Sequence, residues 1–152
     1  MYVKVLNKII DDIQKFGWSV IGVPLRRQNG FAYTIGLWEK YQHPEIFIFG
    51  LPIDMAHFIL NDLGMQIKKK GVKYELEQNY NEVIVNYPVQ FKQINSVNYD
   101  LYLGIAVRYY GDSDFLAHQM FWTDINSKFP WENGSQNKDF QVDFSPAQRV
   151  II

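Results

Sequence analysis

The chain has 152 residues, with 15 basic against 16 acidic side chains for a formal net charge of −1, and no cysteine. That balance excludes a global field drawing the protein onto nucleic acid or an anionic membrane, and the missing thiols exclude disulfide scaffolds, thiol catalysis, Cys-ligated zinc and iron–sulfur clusters. The length fits one domain over residues 1–152 that folds without a staple. Met1-Tyr2-Val3-Lys4 starts no basic-then-apolar leader and no stretch reaches the length of a membrane span, so a cytoplasmic protein is expected.

Val3, Leu6, Ile9, Ile10, Ile13 and Phe16 recur at spacings of three and four and predict an amphipathic helix ending before Gly17. Trp18 to Val23 and Phe31 to Leu37 read as strands. Between them, Arg26-Arg27-Gln28-Asn29-Gly30 carries the Asn-Gly pair that favours positive φ at a tight turn, which predicts a hairpin. Trp38 to Glu45 reads as a loop broken by Pro44, and Ile46-Phe47-Ile48-Phe49 as a buried strand. Pro52 suits a first helical turn and Asp54 its positive end, and Met55, Phe58, Ile59, Asp62, Leu63 and Ile67 give the mostly apolar stripe of a second helix stopping at Gly71. Lys68, Lys69 and Lys70 favour its negative end.

Strands are predicted around Val83-Ile84-Val85 and Val89-Gln90-Phe91, separated or offset by Pro88. A third helix is expected from about Asn98 to Tyr110, closed by Gly111, then a strand from Phe115 to Thr123. The remainder is loop-like around Phe129-Pro130-Trp131, with a last strand at Phe140 to Phe144 in a polar tail. Regular strand–helix alternation is missing. The pattern is therefore α+β, a mainly antiparallel sheet packed with about three helices, with a split-barrel-like arrangement as one option.

His43-Pro44-Glu45 sets a histidine and a carboxylate two apart, as metal ligands or an acid–base pair would be. Equally, Pro44 fixes a loop in which both side chains satisfy their neighbours. The H-x-E half of a zinc deaminase signature is present without the cysteine pair it needs. His57 and His118 are the other histidines and fall at no metal-ligand spacing, so no metal is expected. No glycine pattern forms a phosphate-cradling loop and there is no nucleophile elbow. Arg26, Arg27 and Arg108 suit bidentate anion contact, although Arg108 near a helix end also complements the dipole. Alternation pairs Gln119 with Phe121 and Met120 with Trp122 on opposite faces, and likewise separates Tyr33 from Thr34.

Taken together, Gly17-Trp18, Phe31-Ala32-Tyr33-Thr34-Ile35-Gly36-Leu37, His43-Pro44-Glu45, Gly50-Leu51-Pro52, Tyr109-Tyr110-Gly111, Gln119-Met120-Phe121-Trp122-Thr123-Asp124 and Phe129-Pro130-Trp131 resemble a bacterial family, domain of unknown function 4262, over nearly the whole chain. The chain lacks the cysteine and histidine cluster that many members carry near the N-terminus, so a metal role does not carry over. The resemblance singles out Tyr33, Thr34, His43, Glu45, Gln119, Trp122, Asp124 and Trp131 as positions of a shared site, and Arg108 joins them as the anion contact. The order of strand, H-P-E loop, strand and helix also resembles the segment of flavin-reductase-like split barrels that holds the flavin phosphate.

Aromatic residues at 16% with sparse polar anchors fit a pocket for a small anionic aromatic molecule of the nucleotide or flavin type. The same Tyr and Trp content fits a protein-interaction module of the immunity or defence-associated kind in bacteria or phages. An enzyme using His43 and Glu45 as an acid–base pair is the third reading, and since no motif names a reaction the residues lean away from it. The expected partner is a small molecule or a protein, with no nucleic acid and no membrane. Strand order, oligomeric state, and whether the aromatic residues line a pocket or fill a core stay open.

Overall fold

Alternation along each strand sends side chains to both faces of a sheet, and each face needs a cover. In a computed structural model, which describes residues 2–152, six strands meet this demand in the order β1-β2-β3-β6-β5-β4. They are β1 (Ser19–Val23), β2 (Phe31–Ile35), β3 (Glu45–Phe49), β4 (Tyr80–Ile84), β5 (Tyr87–Gln93) and β6 (Ala117–Trp122). Neighbours run antiparallel except β3 and β6, which are parallel. The fold is α+β, and its sheet stays open with β1 and β4 as edges rather than closing into a split-barrel-like form.

The covering elements are α1 (Tyr2–Phe16), α2 (Leu37–Tyr41), α3 (Ile53–Lys70), α4 (Tyr99–Tyr102) and α5 (Gly104–Tyr110). On one face Ile9 and Ile13 of α1 and Tyr102 and Ala106 of α4 and α5 pack on Phe31, Tyr33, Phe47 and Phe49. On the other, Ile59, Leu60, Leu63 and Ile67 of α3 pack on Ala32, Ile46, Ile48, Phe91 and Met120. Phe144, fully buried, meets Phe47 and Tyr102 edge-on with ring centroids 5.2 and 4.7 Å away. Much of the aromatic excess is thus core. Among the described residues, no helix is long and apolar enough to cross a membrane.

The hairpin joining β1 to β2 forms as expected, and several local details are corrected. The last β1–β2 pair is Val23 with Phe31, so the connection spans residues 24–30, and neither Asn29 nor Gly30 takes positive φ. Gly30 is instead needed for closeness, because a Cβ there would fall 1.8 Å from the Val23 carbonyl oxygen. The strand from Phe31 ends at Ile35, since Gly36 at φ 119° turns the chain into α2 where a loop was expected. The helix expected over Asn98 to Tyr110 is a 3-10 turn (Ser96–Asn98) followed by α4 and α5, broken at Leu103, whose ψ of 33° leaves the helical region. Pro88 lies inside β5, and the turn falls at Val85-Asn86, where Asn86 takes φ 69°.

No strand forms at Phe140 to Phe144. Strand β6 is already paired on both sides, so the tail has no sheet edge to join there and crosses the sheet face instead. The Gln119 side chain supplies the ladder's contacts, its Nε2 donating to the Val142 carbonyl at 2.6 Å and its Oε1 accepting from the Phe144 N–H at 3.0 Å.

The Trp18 ring lies on α3 at Gly64, where an added Cβ would come within 2.5 Å of the ring. Alanine for a mid-helix glycine ordinarily stabilises by about 1 kcal/mol. Here Gly64→Ala is expected to destabilise by about 1–3 kcal/mol through overpacking, read from urea unfolding; a gain in stability would show that the ring yields.

Candidate functional site

Glu45 begins β3 at a point where β2 and β3 have stopped pairing, and its carboxylate fills the gap. Thr34 Oγ1 donates to it at 2.7 Å, and the backbone N–H groups of Gly36, Leu37 and Trp38 donate at 2.9, 3.2 and 3.3 Å. The Tyr110 hydroxyl donates a fifth, very short bond from α5. Three of these donors are N–H groups of the turn into α2, which a helix start leaves unpaired. Thr34 Oγ1 also accepts from the Ile46 N–H at 3.0 Å, and Tyr110 Oη from the Glu39 N–H at 3.3 Å. Complete burial pushes the Glu45 carboxyl up to about 7, while the hydrogen bonds from Tyr110, Thr34 and the backbone pull it down. Burial, then the neighbouring Glu45 charge, lifts the Tyr110 hydroxyl above its ordinary value, so it stays a donor.

His43 is equally committed. Its Nε2 accepts from the Tyr74 N–H at 3.1 Å, so the ring proton sits on Nδ1 and is donated to the Pro44 carbonyl at 2.8 Å. A second proton would face an N–H, and burial lowers the imidazole's affinity for it. His118 lies beside Ile46 in the parallel β3–β6 register. Its Nδ1 is buried without a hydrogen-bond partner. Burial, with His43 and Lys73 adding like charge, pushes it down to about 4. Among the described residues, no group of three or more His, Asp or Glu is placed to hold a metal.

The other expected residues do not join them. Tyr33 is in the core and Arg108 is exposed in the last turn of α5. Gln119 faces the tail. Trp122 pairs with the tail through its backbone, its N–H and carbonyl meeting Gln141 at 3.0 and 2.9 Å. Asp124 accepts from the N–H groups of Gln136, Asn126 and Lys128, which hold it below the ordinary carboxylate range. Trp131 stacks on Phe129 with centroids 4.8 Å apart and carries Lys92 Nζ 3.9 Å from its ring centre. The structure thus brings Thr34 and Glu45 into contact, disperses the rest, and places none of the nine on the walls of the clefts described next.

A cleft of about 910 Å³ beside α4 has Arg149 as its one cation, and that is paired with Asp100 at 2.9 Å. A cleft of about 510 Å³ between α1 and α3 gathers more cations, although Lys8 there is likewise paired, with Asp12. Exposed Phe16 and the largely buried Trp18, 5% exposed, are its aromatic walls, and Lys8, Lys68 and His57 stand around them with Asp12. Asn61 fixes the indole by accepting its N–H at 2.9 Å. Lys68 Nζ is held by the Phe16 carbonyl at 2.9 Å and lies 6.0 Å from the Trp18 ring centre. Lys8 and Ser19 both reach Asp12 at 2.9 Å. The expectation from sequence passed this cleft over, although His57, Asn61, Gly64 or Met65, and Lys68 recur at helical spacing along one line of α3.

Among known families, the model described as "Domain of unknown function (DUF4262)" matches residues 12–136. No curated protein and no solved structure matches the chain.

Replacing Glu45 by Ala leaves five donors around a void and is expected to cost about 3 kcal/mol or more. A carboxyl raised from 4.5 to about 7 binds its proton more tightly in the folded state, so its contribution to stability is full below pH 4.5 and falls as pH rises through 7. Urea unfolding at pH 5 and pH 8 checks this: the stability difference between wild type and Glu45→Gln should shift against the wild type at pH 8, by a few kcal/mol at most. A pH-independent difference would place the folded carboxyl near its ordinary value.

Proposed function

The chain belongs to the DUF4262 family, whose description names no activity, and we propose from its own clefts that it binds a small anionic aromatic molecule, of the nucleotide or flavin type, against Trp18. The observation carrying this reading is the coincidence of two aromatic side chains with two lysines and a histidine around one opening of about 510 Å³. That volume suits a ligand of this size, and apolar walls with a few polar anchors are what such ligands require. Phe16, 56% exposed, stands at the mouth and can close over a planar ring, while Lys8 and Lys68 receive the anionic end.

His43 and Glu45 lend the enzyme reading no support. Both are buried, the histidine has both nitrogens engaged, and the carboxylate is enclosed by five donors, leaving no approach for a substrate within hydrogen-bond reach.

A thermal-shift panel of flavins, nicotinamide cofactors and linear and cyclic nucleotides tests the proposal. A ligand at 100 times its Kd stabilises the native state by about 2.7 kcal/mol, a readily measured shift. Lys68→Ala and Phe16→Ala are each expected to weaken that ligand about tenfold or more while leaving the melting temperature of the free protein nearly unchanged. A panel without any shift overturns the proposal.

A further inference from the structure

The two edges of the sheet are built differently. At β4 the register with β5 is irregular between Tyr80 and Ile84, and Glu82 is exposed on the strand. Irregular pairing and edge charges keep an edge from recruiting another strand. The β1 edge has neither device. Ser19-Val20-Ile21-Gly22-Val23 contains no charge and no proline, holds unbroken register with β2 over five pairs, and has β2 as its one strand partner.

Clefts open along this edge on both sides. The one under Trp18 reaches Ser19 and Val20, and a second, also about 510 Å³, is lined by Val5 and Ile9 of α1, Ile21, Gly22 and Ile105. The two share Lys8, Ser19 and Val20. A strand laid beside β1 directs successive side chains to opposite faces, and so into the two clefts alternately. Around them stand Lys4, Lys8 and Lys68 against the single acid Asp12, on a chain whose formal net charge is −1.

We propose that β1 is a docking edge that receives an extended acidic segment of a partner protein as a seventh strand. Main-chain pairing supplies the affinity, and the local excess of lysine selects acidic side chains. This goes beyond the Trp18 reading, since neither aromatic stacking nor a small ligand is required. A second copy of the chain is a poor occupant, because pairing β1 with β1 about a two-fold axis brings Lys4 and Lys8 of both copies into the same grooves.

Selection of a displayed library of random ten-residue peptides against the whole protein, followed by hydrogen–deuterium exchange, tests this. Enriched peptides should carry Asp or Glu at alternate positions, slow amide exchange within residues 19–23 about tenfold or more, and bind the Lys4→Glu/Lys8→Glu variant about tenfold or more weakly. Failure to enrich any peptide overturns the proposal. So does enrichment without acidic bias, protection confined to another part of the chain, or a dimer in sedimentation equilibrium whose β1 amides are protected before peptide is added.

Discussion

One buried carboxylate holds three parts of the chain in register. Glu45 stands where β2 and β3 separate, and its two oxygens collect donors from Thr34 on β2, from the backbone entering α2, and from Tyr110 at the end of α5. Without an acceptor there, the N–H groups at the start of α2 would be buried unpaired, at a cost of about 1–3 kcal/mol each. The position of α2 over the end of the sheet, and the docking of α5 against α2 through Tyr109 on Glu39, both depend on it. The H-P-E segment is in this sense architectural: the Pro44 carbonyl accepts a hydrogen bond from the His43 ring, and Glu45 ties the strands to two helices.

This explains which parts of the fold could be read from sequence. Elements whose pattern reflects burial on one face were legible: α1 from its three-and-four spacing, α3 between Pro52 and Gly71, β3 from its apolar run, and the alternation of Gln119 with Met120, although Met55 and Phe58 of the expected α3 stripe are exposed and Ala56, Leu60 and Gly64 are buried in their place. Elements made by a single long-range contact were not. Residues Leu37 to Tyr41 have no helical stripe and are helical because a carboxylate eight residues from Leu37 satisfies their first turn. The tail carries an alternation that suits a strand, yet β6 had no free side to offer it.

The candidate site was harder still, for a reason of the same kind. Motif residues drew attention to His43, Glu45, Gln119 and Asp124 because polar side chains inside apolar runs need an explanation, and here the explanation is internal hydrogen bonding. Apart from Trp18, which falls in one of the segments carrying the family resemblance, the Trp18 cleft is made from residues unremarkable in sequence: two surface lysines, a histidine on a helix and a phenylalanine at a helix end. Only the crossing of α1 and α3 over the end of β1 brings them together. The family match begins at Asp12, so it covers Trp18, His57 and Lys68 but not Lys8.

The end of the sheet where β3 and β6 run parallel carries two kinds of buried ionisable group with opposite demands. Glu45 gains a proton as the chain folds at mildly acidic pH, whereas His43 and His118 give theirs up. Below the ordinary histidine pKa of 6.5 and above the ordinary carboxyl value of 4.5, uptake at one site is set against release at the other two. The pH dependences that these groups give to stability therefore oppose one another in that interval. A fall in pH that favours the folded state at the carboxyl disfavours it at the histidines, so the fold answers mild acidity less steeply than either kind of group would alone.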